Sequence, residues 1–418
     1  MKKLSVVLVI LLLTTAFVYS AGTTEAKPQE VQTLVYYRYS SAAHDTYNLP
    51  LIEAFMKENP DIIIESVVVT SGGYEALASK VLLANAAGTP PDVAQVGYSL
   101  INTMVESGNA IELDPFMAKD PKFNAKSLFP AMMDLGAYDG KQYLIPLGTS
   151  TPIMLYNKEL FLQVGLDPEK PPKSWAEVET AAQILKNAGF NGVLWGWSIT
   201  GNWILQTMIE NAGGKLATAD SSVLMFNEEP GLKTMTYLQD LVKKGLMPVT
   251  DQTLATFATG KLGMLIDSSF QRVSTPSMTN FTVMFAAVPS LDGSVPIVPA
   301  GGNGVMMFAQ DAKKQQAAWR FLRFLTEETA SMIIGEQSGY TPANEAVIST
   351  LKTKYAADRN FAITLDQAAK VVPWHAWPGE NGAKINKLLR DMQEAILLQK
   401  ISPKAGLDKA AADIKALL

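Results

Sequence analysis

Residues 33–96 read TLVYYRYSSAAHDTYNLPLIEAFMKENPDIIIESVVVTSGGYEALASKVLLANAAGTPPDVAQV, and the pattern in this stretch decides the fold class. The apolar run Thr33–Tyr37 predicts a buried strand. Asn48–Glu58 has helical spacing and is stopped by Asn59-Pro60-Asp61. The β-branched run Ile62–Val69 predicts a second strand, Tyr74–Ala87 an amphipathic helix closed by Gly88, and Asp92–Val96 a third strand. Strands alternating with helices at this spacing give parallel βαβ units, hence an α/β sheet.

The same grammar continues downstream. Ser174 with Glu177 forms a capping box that opens a helix over Trp175–Asn187, and Gly189 closes it. Asn227 is expected to cap a helix running to Lys244, with Glu228 and Glu229 in its first turn. Gly263–Ile266 and Phe281–Val288 read as strands. Ala312–Leu325, Glu327–Gly335 (capped by Thr326), Ala383–Gln399 and Ala405–Leu418 read as helices.

The ends and the composition bound the setting. Lys2 and Lys3 precede an apolar segment, Val6–Val18, and Val18 and Ser20 suit the −3 and −1 positions of a cleavage site. Residues 1–20 are therefore expected to be a removed signal peptide, and 21–32, rich in Thr, Glu, Lys, Pro and Gln, a flexible leader. The chain of 418 residues contains no cysteine, which excludes disulfides and a lipid anchor on a cysteine and predicts a soluble periplasmic product. A net charge of −5 without a cluster of Lys and Arg argues against nucleic acid as a partner.

Catalytic signatures are weak. The two histidines, His44 and His375, do not stand at metal-ligand spacing, and a thiol nucleophile is excluded, so neither a metal nor a cofactor is expected. Gly301-Gly302-Asn303-Gly304 is followed by strand-like Val305–Phe308 rather than by a helix start. It is expected to be a tight turn bringing backbone close to a ligand, not a phosphate cradle. A pair of carboxylates for glycoside chemistry could still meet in space.

The string PLGTSTPIMLYNKELFLQVG at Pro146–Gly165, followed by LDPEKPPKSWAEVETAAQILKNAG, resembles the family 1 extracellular solute-binding proteins of ABC importers. Phe257–Lys261 with Gly263-Met264, then Gly301-Gly302, Trp319–Leu322 with Phe324-Leu325, Ser338–Pro342 and Ser402–Ala405 follow in the family order. The resemblance implies a non-catalytic, two-lobe periplasmic-binding-protein fold of the type II kind, a hinged cleft, a small-molecule ligand and permease subunits as partners, with the binding protein a monomer. It places lobe 1 at 33–145 and 269–323, and lobe 2 at 146–268 and 324–418.

Within the family the chain is most similar to the glycerol-3-phosphate branch. That likeness assigns Tyr74, Ser150, Trp203, Ser268, Ser269, Gly302 and Tyr340 to the ligand. Two positions depart from it. Tyr98 stands where the branch carries a glutamate, and Trp377–Asn381 (WPGEN) where it carries the arginine that grips phosphate. The expected ligand is accordingly a carbohydrate or polyol. The alternatives are glycerol 3-phosphate or another anion, with Arg38 or Lys384 replacing that arginine, or a glycan-active secreted enzyme.

Aromatic rings stack on the C–H faces of sugars while polar side chains hold hydroxyls. Tyr98, Trp203, Trp374 and Trp377 are expected in loops facing the ligand, with Asn303 beside Gly302. Arg38 and Asp45 follow the first strand, where loops line the crevice of α/β sheets, and a surface salt bridge is the competing reading of each. Trp175 and Trp319 belong to the core by their helical spacing.

Overall fold

The structure, a computed structural model, describes residues 31–368 and 371–418. The expected signal peptide and nearly all of the expected leader lie outside the described residues. The first strand already begins at Gln32, the last residue assigned to the leader. Nine strands form the two main sheets: β1 (Gln32–Tyr39), β2 (Ile62–Val69), β3 (Val93–Gly97), β4 (Leu144–Ser150), β5 (Pro152–Asn157), β6 (Asn191–Trp195), β7 (Leu262–Ser268), β8 (Val283–Ala287) and β9 (Gly301–Met307).

One sheet has the order β2-β1-β3-β9-β4 and the other β8-β5-β7-β6. Strands β1, β2 and β3 run parallel, as the βαβ pattern requires, and β9 lies antiparallel between β3 and β4. Each sheet is the core of one lobe. The first packs on the helix Ala42–Glu58, which buries Tyr47, Leu51 and Phe55 and sets Phe55 5.0 Å from Phe321 of the helix Ala312–Phe324. The second packs on the helix Trp175–Asn187, whose capping box forms as expected, and Trp175 stacks on Tyr237 at 4.8 Å.

The strand pairings redraw the expected division of the chain. All of β4, through Ser150, belongs to the first sheet, because its edge pairs with β9 rather than with β5. Strand β8 falls inside 269–323, yet it pairs with β5 in the second sheet. The helix Glu328–Gln337 packs on Ala42–Glu58 in the first lobe, so the final passage to lobe 2 comes after residue 337. A single residue, Thr151, separates β4 from β5 at the first passage. Its carbonyl accepts from Ser269 N–H at 2.8 Å and its N–H donates to Ser269 Oγ at 3.0 Å. Gln367 Nε2 donates to Thr151 Oγ1 at 3.2 Å and to Pro152 O at 2.9 Å.

Local surprises have local causes. The first helix starts at Ala42 because Ser41 Oγ accepts from His44 N–H, an N-cap placed ahead of the expected start. Glycines 301, 302 and 304 do not make a turn. They open β9, with Gly302 at φ 111° and a register shift at Asn303/Gly304. Side chains are missing there because neighbours press in: a Cβ on Gly302 would lie 2.2 Å from Gly148 O. The helix expected from Asn227 begins at Glu229 after Glu228, without a side-chain cap, and Glu327 rather than Thr326 precedes Glu328–Gln337.

Gly192 in β6 lies against the helix Trp175–Asn187, and a Cβ there would approach Ala182 Cβ to 2.4 Å. Gly192→Ala should cost about 1–3 kcal/mol by overpacking, read as a lower urea midpoint at constant slope. Both histidines are half-buried. Ser41 Oγ lies 2.8 Å from His44 Nδ1 and Ser221 Oγ lies 3.0 Å from His375 Nε2. Burial pushes each imidazole from the ordinary 6.5 down to about 4. The fold thus holds neutral rings, so this contribution is complete above pH 6.5 and is lost as pH falls toward 4. The melting temperature should fall through that window, and His375→Asn should flatten the fall. An unaltered slope in the variant would remove His375 as a cause.

Candidate functional site

The two sheets meet at the carboxyl ends of β1 and β3, the start of β9 and the passage at Thr151. Here the expected site residues gather into a contiguous spine. Asn303 Nδ2 donates to Tyr74 Oη at 2.7 Å, and Tyr74 Oη lies 3.5 Å from Tyr340 Oη. A Cβ on Gly148 would lie 2.6 Å from Tyr340 Cβ, so the glycine lets the tyrosine lie directly on β4. Tyr98 Oη donates to Gly148 O at 3.1 Å. Burial pushes the phenols of Tyr74, Tyr98 and Tyr340 upward, so all three stay protonated. Asn303 Oδ1 is buried in this spine and carries no hydrogen bond among the described residues.

A second arm of the spine is built of tryptophan. Trp203 is the first residue of the helix Trp203–Asn211 rather than a loop residue. Its Nε1 donates to Pro299 O at 3.1 Å, and its ring is 5.8 Å from Trp374. The ring lies so close to β9 that a Cβ on Gly301 would sit 2.4 Å from Trp203 Cζ2 and 2.8 Å from Ser150 Oγ. Ser268 Oγ accepts from Phe270 N–H at 3.2 Å at the end of β7. Arg38 and Asp45 lie apart from the spine and pair with each other at 2.6 Å, and with Arg38 only 4% exposed this is not the surface salt bridge of the competing reading.

Beside the spine, a cavity of about 520 Å³ opens between the lobes. Tyr98, Asn102 and Asp134 line it from the first lobe, and Gln206, Glu210, Lys215, Trp374 and His375 from the second. Of the expected residues, Tyr98 and Trp374 reach it. Trp377 does not: it is fully buried, donating from Nε1 to Asn386 Oδ1 at 3.1 Å and packing on His375. Lys384 is exposed on the helix Gly382–Leu397 and is not among the lining residues.

The segment 373–381 forms one wall and is tied to both lobes. On the second lobe, Trp374 Nε1 donates to Asn202 Oδ1 at 2.8 Å and His375 N–H to Gln206 Oε1 at 3.0 Å. On the first, Asn102 Nδ2 donates to Ala376 O at 3.0 Å and Thr103 Oγ1 to Gly379 O at 2.8 Å. Gly379 N–H donates to Glu106 Oε2 at 2.6 Å.

Sequence reasoning missed Asn102, Asp134, Gln206, Glu210 and Lys215 as lining residues. One signal was available. Trp203, Gln206 and Glu210 stand three and four residues apart, which puts them on one face of a helix. Among the lining residues the ionised groups are two carboxylates, Asp134 and Glu210, and one ammonium, Lys215, while His375 is held neutral. Among the described residues no group of three or more His, Cys, Asp or Glu is arranged to hold a metal ion.

The comparisons with known proteins fit this architecture. The sn-glycerol-3-phosphate-binding periplasmic protein of Pectobacterium atrosepticum is 27% identical over 395 residues, covering 88% of this chain and 87% of that one. The cyclic alpha-maltosyl-1,6-maltose binding protein of Arthrobacter globiformis superposes with a TM-score of 0.77 at 23% identity, covering 92% and 98%. The Mycobacterium tuberculosis protein UgpB, in complex with glycerophosphocholine, superposes with a TM-score of 0.80 at 20% identity, covering 92% and 98%. The model of the bacterial extracellular solute-binding proteins matches residues 41–332, most of the chain, and the protein belongs to that family.

Proposed function

We propose that the protein is the periplasmic ligand-capturing component of an ABC importer. It is exported by its signal peptide, acts as a monomer, and holds a neutral carbohydrate or polyol between its lobes until permease subunits receive it unaltered. The observation that carries the choice of ligand is the chemistry of the interlobe cavity. Aromatic surface from Tyr98 and Trp374 faces polar side chains of Asn102 and Glu210, and the charged side chains, Asp134, Glu210 and Lys215, sum to a net negative charge. Rings and amides suit hydroxylated carbon frames, whereas a phosphate dianion needs converging cations.

The cations that could replace the expected arginine support the same reading. Arg38 is committed to Asp45, and Lys384 points to solvent from its helix. The Pectobacterium relative named for sn-glycerol 3-phosphate shares the fold, but Trp377 here is packed into protein at the place where a guanidinium was expected.

Calorimetry against neutral mono- and oligosaccharides, polyols and sn-glycerol 3-phosphate, with X-ray scattering on the same samples, tests the reading. A neutral sugar should release heat and shrink the radius of gyration as the lobes close. Heat from sn-glycerol 3-phosphate alone would reverse the choice of ligand. Trp374→Ala should weaken sugar binding by about 1–3 kcal/mol, the scale of one buried ring contact. Trp203→Ala should instead cost about 3–5 kcal/mol of stability, as deletion of a core ring does, and unfolding in denaturant separates the two.

A further inference from the structure

The polar end of the interlobe cavity is built around one carboxylate that is fixed in place. Glu210 lies in the last turn of the helix Trp203–Asn211, and its Oε1 accepts from Gln206 Nε2 at 2.9 Å. Gln206 is 2% exposed and fully engaged: Nε2 also donates to Pro373 O at 3.0 Å, and Oε1 accepts from His375 N–H at 3.0 Å. Reversing that amide would set its oxygen against a carbonyl and a carboxylate and its NH₂ against an N–H, so its orientation is dictated by its neighbours. The second oxygen of Glu210 carries no hydrogen bond among the described residues.

A half-buried carboxylate with free lone pairs at a cavity wall has a definite preference. It accepts hydrogen bonds from hydroxyl groups and repels a phosphate or a second carboxylate, more strongly than in water because the surroundings are less polarisable. The charged groups around it do not cancel this preference. Lys215 is solvent-exposed, Asp134 adds negative charge from the opposite lobe, and His375 is neutral. Burial raises the Glu210 carboxyl, with Gln206 and Lys215 opposing that rise.

We propose that Glu210, held by Gln206, is the specificity-determining residue of the cleft: it accepts hydrogen bonds from ligand hydroxyls and excludes anionic solutes of similar size. The inference rests on the carbohydrate reading above and names the group that enforces it. Gln206 acts through Glu210 and is a positioning residue, whereas Glu210 touches the ligand.

The test compares wild type with Glu210→Gln and Glu210→Asp by calorimetry, using the neutral sugar that wild type binds and sn-glycerol 3-phosphate as probes. Glu210→Gln keeps the shape and the acceptor for Gln206 but removes the charge. It should lose at least tenfold in sugar affinity and gain measurable binding of sn-glycerol 3-phosphate, at a melting temperature close to that of wild type. Glu210→Asp keeps the charge and withdraws the oxygen by one methylene, so it should bind the sugar more weakly and still reject sn-glycerol 3-phosphate.

Undiminished sugar affinity in Glu210→Gln, with no uptake of sn-glycerol 3-phosphate, would reduce Glu210 to a structural partner of Gln206 and overturn the inference while the carbohydrate reading stands. Should Glu210→Gln unfold, Glu210→Asp decides alone, and full sugar affinity in it overturns the proposal. A wild-type chain that takes sn-glycerol 3-phosphate in place of every neutral sugar, or takes neither, overturns the carbohydrate reading and this inference together.

Discussion

The clasp between Thr151 and Ser269 is the constraint on which the rest of the molecule depends. Two strands leave one lobe for the other within a residue of each other, and at that point each backbone is bound to the other chain segment. Neither segment has slack: Thr151 is the whole connection between β4 and β5, and β7 ends at Ser268. Gln367 adds a third element, holding both Thr151 and Pro152. Lobes joined so tightly cannot slide past one another, but each sheet can swing as a body about the clasp. Small φ/ψ changes at a few passage residues are enough for hinge closure.

The cavity follows from that geometry. Its walls come from residues far apart in sequence, brought together because both sheets end at the clasp. The segment 373–381 completes it from the side. Its hold on the second lobe uses two buried indole N–H bonds and the Gln206 amide. Its hold on the first is three hydrogen bonds to the short helix Ile101–Glu106. Buried donors are costly to leave unsatisfied, while partners near solvent can exchange to water.

Much of this architecture was legible in the chain. The βαβ periodicity of residues 33–96 set the parallel strands, and the capping box at Ser174 and Glu177 set a helix boundary, because both are local rules with local causes. The glycines at 301–304 were misread as a turn for a physical reason. Glycine is needed for positive φ and also for close approach, and here Trp203, Ser150, Gly148 and Leu144 press on the strand from other parts of the chain. Arg38 and Asp45 were placed near the crevice but satisfy each other. Most cavity-lining residues escaped notice because polar groups on helices carry no mark of the lobe they face.

Family resemblance fixes the frame and leaves the chemistry of the cleft to individual side chains. Trp377 illustrates this. In the stretch where the resemblance led to the expectation of an arginine, it turns inward, hydrogen-bonds Asn386 and packs on His375, so it supplies packing rather than charge. The neutral imidazole beneath it then needs no counter-ion, and the main-chain N–H of His375 is free to orient Gln206, which in turn aims Glu210. Packing at one residue thus reaches, through the His375 main chain and the Gln206 amide, to the Glu210 carboxyl at the cavity wall. Two chains can share sheets, hinge and passage strands and still select opposite classes of solute.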